Sequence, residues 1–189
     1  MPSQVKRFNT VLLVGLGNPG MEYELTRHNI GFQVLDAFAD GTWKEDNAHK
    51  AFTAKTSVDG VTVHCLKPQT FMNKSGEAVQ SYAQYYNIAP DAIFVVHDEA
   101  DLPFGDIRLK QGGGTAGHNG LKSLVQHLGT DAFWRLRIGI GRGDNSQVAL
   151  EDFVLGKWTE SERQQLDQLI QQSIHKLHEC IVAPPLDRT

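Results

Sequence analysis

His28, Asp98, Asn18, Asn73 and Asn119 are the residues of this 189-residue chain whose types could combine into a reactive site. Histidine is the side chain best poised to take a proton near neutral pH. An aspartate within hydrogen-bonding reach would hold its tautomer and favour the imidazolium formed on proton uptake. Asparagine amides do not titrate, yet each offers N–H donors and a carbonyl acceptor. They can polarise a scissile carbonyl or hold a water without changing charge. The chemistry open to such a set is hydrolysis by one base among neutral donors.

Plainer readings stand beside this one. Asn and Asp just past strands commonly form turns, and Asn119 could serve only as the N-cap of the helix that follows it. His28, His97, Asp98 and His118 could be metal ligands, although none of the usual ligand spacings appears. His97 alone reads as a strand-end residue bonded to backbone.

The stretch Gly15-Leu16-Gly17-Asn18-Pro19-Gly20 spells G-x-G-x-x-G after the apolar run Val11 to Val14. That spacing suggests a dinucleotide-binding loop and an oxidoreductase. Its filling argues otherwise, because Asn18 and Pro19 occupy the variable positions and His28 follows among polar residues. A second glycine-rich segment, Gly112 to Gly120, lacks the Lys-Ser/Thr ending of a P-loop. So much glycine costs backbone entropy and marks a mobile flap or a close approach to a ligand.

Short apolar runs alternate with helical patterns along the chain. Strands are expected at Val11–Gly15, Ala51–Val58, Val61–Lys67, Ile93–His97, Asp106–Lys110 and Arg135–Ile140, with Asp59-Gly60 as a hairpin turn. Helical faces follow from Ile30, Val34, Leu35 and Phe38, and from Ala78, Val79, Tyr82, Ala83 and Tyr86. Leu121, Leu124, Val125 and Leu128 give another, with Gly129 as its C-terminal stop. Thr159 and Glu162 form a capping-box spacing ahead of Leu166 to Leu177. The pattern predicts an α/β fold: one domain over residues 1–189, a twisted mixed β-sheet with helices on both faces. Asn18, Gln69 to Asn73, and His97-Asp98-Glu99 then lie at carboxyl ends of strands, where open sheets bind ligands. If those strands are parallel neighbours, Asn18, Asn73 and Asp98 converge.

Net charge is −4, but the window from Gly105 to Arg142 sets Arg108, Lys110, Lys122, Arg135, Arg137 and Arg142 against Asp106 and Asp131. A basic face on an acidic chain is compatible with phosphate contacts at a defined place, and equally with scattered solvated charges. Residues 1–10, with Lys6 and Arg7, hold no apolar segment of a secretory signal. Cys65 and Cys180 lack metal-ligand spacing and read as reduced thiols. A cytoplasmic location is expected.

These motifs together resemble bacterial peptidyl-tRNA hydrolases. The resemblance rests on Gly15 to Gly20 with Tyr23 and Thr26-Arg27-His28-Asn29; on Lys67 to Gly76; on His97-Asp98-Glu99 through Gly105; on Arg108 to Lys110 with Gly117 to Ser123; and on Arg135 to Gly141. It implies cleavage of the ester linking a peptide to the terminal ribose of tRNA, releasing tRNA from stalled translation, without metal or organic cofactor. By position it makes His28 the general base, Asp98 its partner and Asn18 the recogniser of the peptide. Asn73 would bind substrate near the ester, and Asn119 would position substrate and water. Tyr23 and Phe71 match aromatic contacts to the tRNA 3′ end; Arg108, Lys110 and Arg135 match a basic surface for acceptor-stem phosphates. A monomer with no membrane or obligate protein partner is implied as well. Ala100, Gly143 and the tail from Ala183 to Thr189 depart from the family pattern. A tRNA-binding protein without hydrolysis, and the dinucleotide-dependent oxidoreductase, are the rival readings.

Overall fold

The run expected as the first strand forms β1, Thr10–Gly15, whose Val11 to Val14 are inaccessible to solvent. A strand covered on both faces needs such a continuous apolar run. The computed structural model describes residues 8–39, 41–143 and 147–185. Lys6, Arg7 and the end of the tail, Leu186 to Thr189, lie outside them. After β1 come α1 (Ile30–Phe38), β2 (Lys44–Asp46), β3 (Ala51–Val58), β4 (Val61–Pro68) and α2 (Ser75–Tyr85). Then follow β5 (Ile93–Glu99), β6 (Ile107–Gln111), α3 (Asn119–Leu128), β7 (Trp134–Gly139), α4 (Leu150–Val154) and α5 (Glu160–Val182).

The strands make one mixed sheet in the order β2-β3-β4-β1-β5-β7-β6. β1 pairs in parallel with β4 on one side and β5 on the other, and β7 continues the parallel set. The edges are antiparallel, β2 and β3 beyond β4 and β6 beyond β7. Helices α1 and α5 pack together, as do α2 and α3, and the two pairs flank the sheet. The strand order thus reverses direction at β1, which opens a crevice beyond the carboxyl ends of β1, β4 and β5.

Local chemistry explains most boundaries. Asp59 and Gly60 both have positive φ, 45° and 85°, as a two-residue hairpin turn between β3 and β4 requires. Gly129 ends α3 in the left-handed region. Thr159 and Glu162 close a reciprocal capping box on α5. β2 was not expected: it is three polar residues with no apolar alternation, held by pairing with β3. α4, five residues long, is too short to display a helical period. β5 runs two residues past His97, so Asp98 and Glu99 belong to the strand itself.

Candidate active site

His28 sits on the 3-10 turn Arg27–Asn29 immediately before α1. Two glycines bring that turn down onto the sheet. A Cβ on Gly31 would lie 2.4 Å from the Val96 carbonyl oxygen, and one on Gly15 would lie 2.4 Å from the carbonyl oxygen of Gly31. No side chain fits there, and glycine alone lets α1 approach β1 and β5 so closely. The approach sets His28 against the carboxyl end of β5.

There the His28 Nδ1–H donates to Asp98, 2.9 Å from Oδ1 and 3.0 Å from Oδ2. His118 Nε2 lies 2.9 Å from the same Oδ1. The His118 tautomer follows from its other nitrogen: Nδ1 accepts from the backbone N–H groups of Gly120 (3.1 Å) and Leu121 (3.4 Å). The ring proton of neutral His118 is therefore on Nε2 and is donated to Asp98. Burial would push the Asp98 carboxyl up, but His28 and His118 together hold it well below the usual carboxylate range. With Nδ1 committed as donor, neutral His28 keeps its lone pair on Nε2, and the ring lines the cleft.

One ligand atom from each of His28, Asp98 and His118 lies within 4.8 Å of the others, close enough to suggest a metal. The His118 hydrogen bonds oppose it. A neutral metal-bound Nε2 would leave the proton on Nδ1, facing two backbone N–H donors. His97 is buried and neutral: burial and the neighbouring His118 pull it down to about 3, and its Nδ1–H donates to the Asp98 carbonyl at 2.8 Å. Its ring stands edge-on to His118, 5.0 Å between centroids.

Asn18 is fixed on three sides. Its Oδ1 accepts from the Met72 N–H at 2.7 Å, and its backbone N–H and carbonyl are both gripped by the Asn29 amide at 2.9 Å. The Asn18 NH2 group is what remains for the cleft. The chain's own groups thus take up the Asn18 backbone N–H, which a dinucleotide-binding turn would offer to phosphate, and this counts against that reading of G-x-G-x-x-G. Phe71, the residue before Met72, has φ 59° and ψ 156°, a conformation costly for a residue with a side chain. It is exposed and meets Tyr23 edge-on, with 6.3 Å between rings. Asn73 and Asn119 line the rim, and neither side chain makes a hydrogen bond among the described residues. Leu150, Val154 and Leu155 supply an apolar wall to this cleft of about 530 Å³.

The structure therefore brings together Asn18, Tyr23, His28, Phe71, Asn73, Asp98 and Asn119. Two expectations change. Asn119 is the first residue of α3 rather than its cap; His118 caps the helix with its ring nitrogen. Arg135 is not on a basic surface: it is 2 % exposed, its guanidinium over the Phe133 ring. Arg108 and Lys110 are exposed, Arg108 beside Asp106 at 2.8 Å. Sequence reasoning weighed His118 only as a possible metal ligand and Arg137 only as one charge of the basic window, and gave Asn29 no role of its own. His118 directly precedes the helical pattern, the place of a cap, but histidine is not among the favoured caps. Arg137, two residues beyond Arg135 on β7, is partly exposed and donates from Nε to Glu99 at 3.2 Å.

Fold and site define an α/β protein with a His–Asp pair at a sheet switch point. The family profile described as peptidyl-tRNA hydrolase matches residues 12–187. The peptidyl-tRNA hydrolase of Geobacillus kaustophilus is 45% identical over 176 residues, covering 92% of this chain and 94% of that protein. That of Gloeobacter violaceus is 43% identical over 180 residues, covering 94% and 90%. The crystal structure of peptidyl-tRNA hydrolase from Acinetobacter baumannii superposes with a TM-score of 0.85 at 41% identity, covering 93% of this chain and 90% of that one. The chain belongs to the peptidyl-tRNA hydrolase family, a family of hydrolases.

Proposed function

We propose that this protein hydrolyses the ester between a peptide and the terminal ribose of tRNA, with His28 as general base. The observation that carries the reading is the His28–Asp98 pair opening through Nε2 onto a cleft rimmed by free asparagine amides. Water gives its proton to His28 Nε2 as its oxygen bonds to the ester carbonyl carbon. The imidazolium is stabilised by the Asp98 carboxylate, which itself stays ionised. Collapse breaks the bond to the ribose oxygen, and that oxygen takes the proton back from His28. The products are a tRNA hydroxyl and the peptide carboxylic acid, which gives its remaining proton to solvent and leaves as the carboxylate.

The NH2 groups of Asn18, Asn73 and Asn119 are the neutral donors available to the peptide, the ester and the attacking water. A placed base contributes about 10²–10⁴-fold and one oxyanion donor about 10²–10³-fold. An ester needs less leaving-group protonation than an amide, so this set suffices. Tyr23 and Phe71 offer aromatic faces to the tRNA 3′ end, and Arg108 and Lys110 offer charge to acceptor-stem phosphates. The role is release of tRNA from stalled translation products in the cytoplasm, without a metal or organic cofactor.

Turnover of peptidyl-tRNA by wild type and His28→Ala, each repeated with EDTA, tests the reading. Wild type is expected to turn over with EDTA present, and His28→Ala to lose hydrolysis while keeping tRNA affinity. An inactive wild type rejects the enzymatic reading. Appreciable turnover by His28→Ala removes His28 from the base role.

A further inference from the structure

Arg135 is buried away from the surface where a phosphate would meet it, so its side chain needs another account. Its side chain is buried, and among the described residues its Nε and Nη2 have no hydrogen-bond partner. The residue borders a small cavity of about 190 Å³ shared with His97, Glu99, Lys110 and Arg137. Among the described residues its side chain makes one hydrogen bond, from Nη1 to the carbonyl of Gly114, 2.6 Å away. The guanidinium also feels the carboxylates of Asp131 and Glu99 and lies over the Phe133 ring, and desolvation offsets part of what those contacts gain. What the contact does is place the glycine loop.

That loop is fastened at its start by alternate residues of one segment. The Gly112 N–H donates to the Phe133 carbonyl at 3.1 Å, and the Gly113 N–H to Asp131 Oδ2 at 3.0 Å. Arg135 adds the Gly114 carbonyl as the third point. At its far end the loop is fastened by His118 on Asp98. Between these ends Ala116 and Gly117 line the cleft, and Asn119 follows directly. The loop therefore enters the active site at a position set on one side by Arg135 and on the other by the catalytic carboxylate.

We propose that Arg135 is a positioning residue: it latches the glycine loop through the Gly114 carbonyl and so fixes Asn119 and His118 in the cleft. The proposal rests on the hydrolase reading above for its catalytic consequence, but the latch itself is testable without turnover.

The experiment compares wild type, Arg135→Met and Arg135→Lys in three measurements: amide exchange over residues 112–119, kcat and KM on peptidyl-tRNA, and the salt dependence of tRNA binding. For Arg135→Met, loop exchange rises about tenfold or more and kcat falls about 10- to 100-fold, the scale of an ångström-sized misplacement. KM and the salt slope stay near wild type, and Arg135→Lys, which keeps one donor, recovers part of both losses. Unchanged loop exchange in Arg135→Met overturns the latch. So does a salt slope lowered by about one phosphate contact with kcat intact, which would make Arg135 a direct phosphate ligand. Should Arg135→Met not fold, Arg135→Lys carries the same comparison, with loop exchange raised about threefold as the expected result. An inactive wild type would remove the hydrolase reading and leave the exchange result standing.

Discussion

Asp98 receives hydrogen bonds from two imidazoles that differ in what their other nitrogen does. His28 Nε2 is left for the cleft, whereas His118 Nδ1 is occupied by the backbone of α3. His28 can therefore cycle a proton, while protonating His118 would break its cap on the helix. The division of labour predicts how His118 variants separate. His118→Ala loses the cap and the bond to Asp98, so stability falls by about 1–2 kcal/mol and kcat by about tenfold. His118→Asn keeps a cap acceptor at the same place, so stability stays within about 0.5 kcal/mol of wild type while kcat still falls. Urea midpoints with initial rates on the same samples check this; full kcat in His118→Asn would show that the second donor to Asp98 is dispensable. That Asn18 and Asp98 would meet was legible from their position after strands, and His28 stood out by residue type. The role of His118 was not legible, because its value lies in a tautomer that only two backbone N–H groups from the next turn determine.

At the scale of elements, the turn that carries His28 is tied to distant helices by its neighbour Arg27. The Arg27 guanidinium makes two bonds to Glu162, Nη2 to Oε2 at 2.8 Å and Nε to Oε1 at 3.3 Å, and Nη1 donates to the Phe153 carbonyl on α4 at 3.2 Å. It also lies 4.5 Å from the centre of the Phe153 ring. Glu162 Oε2 meanwhile accepts from the Thr159 N–H at 2.7 Å, so one carboxylate serves both the cap of α5 and the turn that carries His28. Arg27→Met is expected to lower unfolding free energy by about 3–5 kcal/mol, since it leaves Glu162 largely buried without its counter-ion. Adding Glu162→Gln recovers part of that loss. Denaturation of the single and double variants measures both, and a double variant no better than Arg27→Met would place the cost in packing rather than charge. The capping box was readable at its spacing of three; its third partner, 135 residues away in sequence, was not.

For the molecule as a whole, an acidic chain carries a local excess of cations between Gly105 and Arg142. The antiparallel pair β6 and β7 gathers four of them, placing Arg108 opposite Arg137 and Lys110 opposite Arg135. Only part of that excess faces solvent: Arg108 and Lys110 are exposed, Arg137 is shared with Glu99, and Arg135 is buried. Lys110→Ala should therefore weaken tRNA binding and reduce its log–log salt slope by about 0.7–0.9, with kcat within about twofold of wild type. Binding isotherms at several salt concentrations test this. An unchanged slope would move the phosphate contact off Lys110.

The sequence by itself determined the strands and helices long enough to show a period, the α/β class, and the residue types able to hydrolyse an ester. Those features are local: alternation, capping spacings and turn glycines act within a few residues. Tertiary structure alone decided which groups meet. Parallel pairing of β1 with β4 and β5 brings Asn18, the Gln69–Asn73 loop and Asp98 to one crevice, and the Gly15–Gly31 contact lowers His28 onto it. It also decided against the charge pattern at Arg135. Whether a cation faces solvent or a loop carbonyl depends on what packs over its strand, and no spacing within β7 encodes that.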